Sequence, residues 1–384
     1  MTTPSQPPEE LKGFEALVPG TYATSGGSEL SYSYTSTSQH KPGAPILVLL
    51  HGWPQTRYIW RYLVPELAGR GYTLFVPDLP GYGYSTMMAT TVAVTTTAEE
   101  GEGGEDDFSA KSAHDRTNVG FAVLSAVRAV YGSSNSSSSA SAQGQGEGKG
   151  EDELQVVLIG HDRGGRVAQR LITSSSSSPT PSPSSPSPPS LPIAHALRIQ
   201  ILGAVLLDIV PYAAQWSAHA NPRSSTRYFH WTFLPSPFSI PMVQAYGSGR
   251  FCREVISAAA GNNEAGRETL YADGAVEHYV ACYEREEVVR GAVADYSAGA
   301  AEDWDAQRED LEKGRKIHVP VTVLHCEGLE SMHGDVEAVW KQWAGEGARL
   351  EVHKVGGGVG HYLPEEAPEE TNRYILDFLK GLGL

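Results

Sequence analysis

Short aliphatic runs recur along the chain at residues 45–50, 72–76, 154–160, 202–207 and 319–325, with a more polar one at 349–355. They are rich in Val, Ile and Leu and too short for core helices, the pattern of strands buried on both faces. Between them, apolar positions three and four apart predict helices over 61–70 and 110–130. A third helix carries Val167, Ala168, Leu171 and Ile172, and a terminal one carries Ile375, Phe378 and Leu379. Strand and helix alternating in this way predict an α/β fold, a mostly parallel central sheet flanked by helices. Ahead of the series, residues 12–36 alternate polar and apolar positions around Gly20 and Gly26-Gly27, as an antiparallel hairpin at a sheet edge would.

The alternation lapses twice over. From 212 to about 305 the chain holds aromatic helical segments, including Tyr228-Phe229-His230-Trp231, but no clear buried strand. This predicts a helical cap inserted after the sixth strand. Low-complexity tracts near 89–107, 133–153 and 174–192, rich in Ser, Pro, Gly and Glu, leave nothing to bury and fall between periodic segments. They are expected to be surface loop insertions. The domain reading is a first core part over 12–211, the cap over 212–305 and a second core part over 306–384.

Composition narrows the partners. The 384 residues carry 29 Lys and Arg against 45 Asp and Glu, a net charge of −16 with no basic tract, which disfavours nucleic acid and anionic membrane as ligands. A small-molecule substrate is expected, with homodimer formation left open. Cys252, Cys282 and Cys326 are widely spaced, without a metal-ligand pattern, and suit a reducing compartment. The polar amino terminus has no secretory pattern, no apolar run approaches a membrane span, and the expected location is cytoplasmic. No cofactor or metal is expected.

The chemistry centres on Gly160-His161-Asp162-Arg163-Gly164-Gly165-Arg166, where a buried strand turns sharply into a helix. Gly-x-nucleophile-x-Gly is the nucleophile elbow, and here the nucleophile position holds Asp162. A carboxylate displaces a leaving group at saturated carbon and leaves an ester for water to cleave; halide and epoxide oxygen are the natural leaving groups. The plainer alternative is that Asp162 caps the following helix. Arg163 and Arg166 in its first turn oppose the helix dipole by about 0.3–1 kcal/mol each. Their spacing of three places both on one face, able to fork onto a carboxylate. Either arginine would otherwise pair with an internal acid or lie along the surface.

Other strand ends carry further candidates. His51-Gly52-Trp53-Pro54 follows the first buried strand, and the backbone N–H of Trp53, with that of Arg163, is expected to form an oxyanion hole. His51 itself is more simply structural. Asp208 ends the strand at 202–207, and His361 lies in the Gly-rich loop 356–361, expected to be flexible. Nucleophile, acid and histidine in that order is the order of the α/β-hydrolase fold.

These motifs, with Asp78-Leu79-Pro80-Gly81-Tyr82-Gly83, Leu207-Asp208-Ile209-Val210-Pro211, His230-Trp231 and Gly360-His361-Tyr362-Leu363-Pro364-Glu365-Glu366, together resemble haloacetate (fluoroacetate) dehalogenases over most of 12–380. The resemblance implies Asp162 as nucleophile, His361 as base for the second water and Asp208 as its acidic partner. It further implies that Arg163 and Arg166 hold a substrate carboxylate and that His230, Trp231 and Tyr296 donate to the departing halide. Pro80 stands where that family usually has arginine, and Tyr84 where an acidic or small residue is usual. Epoxide hydrolases share the Asp and His pair and would use two cap tyrosines among Tyr228, Tyr279, Tyr283 and Tyr296. A receptor that has lost catalysis would show an eroded triad, whereas Asp162, Asp208 and His361 are all present.

Overall fold

The computed structural model describes residues 11–88, 113–132, 153–175 and 193–384. The expected inserts near 89–107, 133–153 and 174–192 fall almost wholly outside those residues. The core is an eight-stranded sheet of β1 (Val18–Ala23), β2 (Glu29–Tyr34), β3 (Ile46–Leu50), β4 (Thr73–Pro77), β5 (Leu154–His161), β6 (Ile199–Leu207), β7 (Val321–Cys326) and β8 (Leu350–Val355). Their spatial order is β1-β2-β4-β3-β5-β6-β7-β8. β3 to β8 pair in parallel, while β1 and β2 form the antiparallel edge hairpin that the alternating pattern predicts.

Every residue of β3, β4 and β7 is buried, which is why these strands read as unbroken apolar runs. β4 and β5 lie on opposite sides of β3, so the chain changes direction across the sheet at the β3/β5 boundary. Ligands of open α/β sheets bind beyond the strand carboxyl ends at such a switch point. It sets the turn after β3 beside the turn after β5.

Element boundaries differ from expectation where local chemistry intervenes. The helix expected over 61–70 is a 3-10 turn, Arg57–Trp60, followed by an α-helix, Val64–Gly69. Pro65 lacks an N–H and fits only the first turn, so the α-helix begins at Val64. The helix expected from 110 starts at Arg116, where the Asp115 carboxylate accepts from the Asn118 N–H.

Helices from Tyr212–Ala218 to Glu302–Glu312 fill the interval between β6 and β7, so the helical region extends past the expected limit of 305. One of them, Glu286–Ala300, is seated directly on the core. A Cβ built on its Gly291 would lie 2.3 Å from the Gly81 carbonyl oxygen, in the turn after β4. Only glycine permits that approach. Gly291→Val is therefore expected to lower stability by about 1–3 kcal/mol in urea unfolding, the usual cost of overpacking. An unchanged midpoint would mean that this contact does not seat the helix.

Candidate active site

Asp162 sits at the tip of the turn after β5 with φ of +46°, a left-handed conformation that costs a non-glycine residue energy and is sustained by its surroundings. The flanking glycines are sterically required. A Cβ on Gly164 would fall 2.3 Å from the Leu50 carbonyl oxygen, and one on Gly160 2.6 Å from that of Gly164. The helix Arg163–Ser175 begins at once. The Asp162 carboxylate does not cap it: Oδ2 accepts instead from the Trp53 N–H at 3.0 Å, across the β3/β5 boundary. The Trp53 half of the expected oxyanion hole is thus next to the carboxylate, whereas the Arg163 N–H makes no hydrogen bond to it. Burial pushes the Asp162 pKa up, but His361, His161, Arg163 and Arg166 outweigh it, leaving the pKa below the ordinary value.

Asp208 is held in the same strained way, with φ of +51° at the end of β6. Oδ1 accepts from the Cys326 N–H at 2.8 Å, and Oδ2 from Nδ1 of His361 at 2.7 Å. Nε2 of His361 lies 4.0 Å from Asp162 Oδ2, too far for a hydrogen bond. Burial disfavours the imidazolium, but the hydrogen bond and charge of Asp208, with the charge of Asp162, raise the His361 pKa above 6.5.

The Gly-rich loop bearing His361 is tied at several points. Glu366 accepts from the N–H groups of Gly360 at 2.9 Å, Tyr362 at 3.0 Å and Gly261 at 2.7 Å. The His361 N–H donates to the Ala259 carbonyl at 3.0 Å, and Nε2 of His161 donates to the His361 carbonyl at 2.8 Å. Sequence reasoning gave Glu366 no role; an acid five residues after the loop, beside the apolar Leu363-Pro364, is its signal. His51 is structural, with Nδ1 donating to the Gly52 carbonyl and Nε2 accepting from the Leu79 N–H, both at 2.9 Å.

A cavity of about 120 Å³ opens over these groups, lined by Trp53, Asp162, Asp208 and His361 from the core and by Tyr228, His230, Trp231 and Tyr296 from the helices above. Burial lowers the His230 pKa to about 3, so the imidazole is neutral and offers one N–H. Its ring stacks on Trp53 at 5.1 Å. Tyr279 and Tyr283 are not on the wall; their hydroxyls meet Glu365 at 2.7 Å and the Trp53 indole N–H at 3.1 Å.

The two arginines part company. Arg166 lines the cavity, and its partners are neutral: the Val210 carbonyl at 2.9 Å and Gln215 Oε1 at 3.4 Å. Its Nε is buried without a partner. Burial, with the Arg163 charge adding to it, lowers the Arg166 pKa against the opposing charges of Tyr212 and Asp162. Arg163 is absent from the wall. Its Nε donates to Asp295 Oδ1 at 2.7 Å and its Nη2 to the Asp295 carbonyl at 2.8 Å and to Oδ1, leaving Nη1 buried without a partner. The expectation that both guanidiniums fork onto a ligand is therefore corrected for Arg163, which pairs with an internal acid because its charge, fully buried, needs a counterion. Asp295-Tyr296 was legible as part of a cap helix, but Asp295 was given no role; its signal is one acid in the apolar helical segment Val293-Ala294-Asp295-Tyr296.

Among the described residues no cluster of His, Cys, Asp and Glu could hold a metal, and no helix is long and apolar enough to cross a membrane.

An aspartate elbow, a strand-end acid and a late histidine, in that order on an eight-stranded, mostly parallel sheet, define the class as α/β-hydrolase. The sequence model of the alpha/beta hydrolase family matches residues 47–374. The chain belongs to that family and is a hydrolase. A fluoroacetate dehalogenase from Burkholderia sp is 24% identical over 346 residues, covering 87% of each chain. Epoxide hydrolase A of Mycobacterium tuberculosis is 48% identical over 46 residues, 12% of this chain and 14% of that one. Among solved structures, a candidate epoxide hydrolase from Pseudomonas aeruginosa superposes with a TM-score of 0.69 at 24% identity, over 96% of this chain and 97% of that one.

The His361 pKa has a consequence that does not depend on the substrate. Imidazole accepts a proton from water only when neutral, so any reaction using it as base should rise with pH through a midpoint above 6.5. Asp208→Asn removes the largest influence that raises the pKa and leaves burial opposed by the charges of Asp162 and Glu366, moving the midpoint down. NMR titration of the His361 ring in both proteins checks this; a midpoint in the unmodified protein at or below that of Asp208→Asn would contradict it.

Proposed function

We propose that this hydrolase cleaves the carbon–halogen bond of a small haloacid such as a haloacetate through an aspartyl ester. Asp162 attacks the halogen-bearing carbon and halide leaves with its bonding electrons. Its depressed pKa keeps the nucleophile ionised. Water then attacks the ester carbonyl while His361 Nε2 takes its proton. The oxyanion forms on a carboxylate oxygen of Asp162, where the Trp53 N–H at 3.0 Å stands ready to donate. Asp208 stabilises the imidazolium, which returns its proton to the departing alkoxide oxygen as the tetrahedral intermediate collapses; this frees the hydroxy acid, and loss of the remaining carboxyl proton to solvent restores the Asp162 carboxylate.

The observation that carries this reading is Arg166, a buried guanidinium on the cavity wall beside Asp162 with neutral partners alone. A substrate carboxylate would supply the hydrogen-bonded anionic partner that it lacks. His230, Trp231 and Tyr296 are donors suited to the departing halide. The 87% coverage by a fluoroacetate dehalogenase supports the same substrate class.

Epoxide hydrolysis is the second reading, favoured by Tyr228 and Tyr296 on the cavity wall. Against it, the Tyr228 hydroxyl is engaged with Nε2 of His333 at 2.9 Å. The backbone of Ala214 hydrogen-bonds the same ring, and burial lowers its pKa to about 4. A neutral His333 donating to that backbone would accept the Tyr228 proton, leaving Tyr296 as the free phenol donor.

Two measurements test the proposal. In a single turnover in heavy-oxygen water with haloacetate, label should enter the Asp162 carboxylate first, and His361→Asn should accumulate the ester as a mass increase on the protein. Label appearing directly in the hydroxy acid would sink the covalent route. Arg166→Met should lower kcat/KM on haloacetate about 30-fold or more, since stranding a buried charge costs about 2–5 kcal/mol and each 1.4 kcal/mol is tenfold. A neutral epoxide should be little affected. Equal loss on both, or faster turnover of styrene oxide than of any haloacid by the unmodified enzyme, would remove the haloacid reading.

A further inference from the structure

We propose that Asp295 is a positioning residue for catalysis: through Arg163 it sets the helix that carries Tyr296 against the nucleophile elbow. Arg163 directly follows Asp162 in the chain, and Asp295 directly precedes Tyr296. The ion pair therefore joins the residue after the nucleophile to the residue before a cavity-lining phenol. It is a two-point grip, with Arg163 Nε on the carboxylate at 2.7 Å and Nη2 on the backbone carbonyl of the same residue at 2.8 Å. The second contact matters because it holds the helix backbone as well as the side chain.

The surroundings leave the pair one arrangement. The other carboxylate oxygen of Asp295 accepts from the Tyr82 hydroxyl at 2.6 Å, and Arg116 also donates to Oδ1. Arg116 in turn pairs with Asp303 at 3.2 Å, so two buried cations meet two buried anions. The Arg163 guanidinium carbon lies 4.3 Å from the centre of the Tyr296 ring, fixing the face of that ring as well as its helix. A Cβ on Gly299 would lie 3.0 Å from Arg163 Nη2, so glycine at this position lets the helix pack closely on the guanidinium. The remaining nitrogen, Nη1, is enclosed and does not reach the cavity wall.

The inference goes beyond the haloacid reading, because it holds for whichever substrate Asp162 attacks. It also predicts a kinetic signature unlike that of a carboxylate anchor. Loss of the grip should lower kcat, with KM unchanged or reduced, on acid and neutral substrates alike. Arg163→Met, Asp295→Asn and their double variant should each lose at least tenfold in kcat, and the double variant should be no worse than the poorer single one, since the two residues act as one device.

The experiment measures kcat and KM of these variants on haloacetate and styrene oxide, using whichever the unmodified enzyme turns over, with thermal midpoints to confirm folding. Should the neutral variants fail to fold, Arg163→Lys carries the test: it keeps the charge balance but replaces the planar fork of Nε and Nη2 with a single ammonium on a shorter stem, and the same kcat loss is expected at a near-normal midpoint. Losses that add independently in the double variant, a rise in haloacetate KM at unchanged kcat, or full activity in Arg163→Lys would each overturn the proposal. Failure of the haloacid reading would appear separately, as absence of haloacetate turnover by the unmodified enzyme.

Discussion

A carboxylate taken out of water at the end of β5 needs compensation, and much of this architecture answers that need. Asp162 is buried at a left-handed turn, with the Trp53 N–H on one oxygen and positive or polarisable groups around it. An isolated buried carboxylate would simply take up a proton. Here its pKa stays depressed, so it is an ionised carboxylate where it would otherwise be a neutral acid. The adjacency of β3 and β5 brings the Trp53 amide to that place, so the sheet order and the ionisation of Asp162 are one constraint seen at two scales.

The same need sorts the other charges into two kinds. Arg116, Arg163, Asp295 and Asp303 satisfy one another, a closed set that joins the core to the helices above it. Asp295 shows how complete the compensation is: burial pushes its pKa up, but Arg116 and Arg163 outweigh burial and hold it at about 2. Arg166 belongs to no such set. Breaking a closed buried pair strands a charge and is costly, while an open one leaves energy available to a ligand. Recognition is therefore expected from the unbalanced cation and rigidity from the balanced ones, although the two arginines share a helix turn.

Backbone strain follows a parallel division. Asp162 and Asp208 both adopt positive φ at strand ends, and both are held there by main-chain donors from neighbouring strand turns, Trp53 for one and Cys326 for the other. His361 needs no such strain because its loop is tied by Glu366 and by the carbonyl of Ala259. A loop that reads as Gly-rich and mobile is thus held by acceptors that lie outside it.

The strands, the edge hairpin, the helical insertion after β6 and the elbow were legible in the sequence. Each depends on local periodicity or on a steric need of the backbone, such as glycine at 160 and 164 or proline at 65, and these are properties of neighbouring residues. The chemical type at Asp162, Asp208 and His361 was legible for the same reason, since each closes a recognisable strand end or loop. What only the tertiary structure decided is which charges meet. Arg163 and Arg166 look equivalent along the chain, three residues apart on one helical face. Asp295 claims Arg163 from 132 residues away and leaves Arg166 facing the cavity. Pairing of buried charges is set by distance in space and by the dielectric around them, neither of which is carried by sequence spacing.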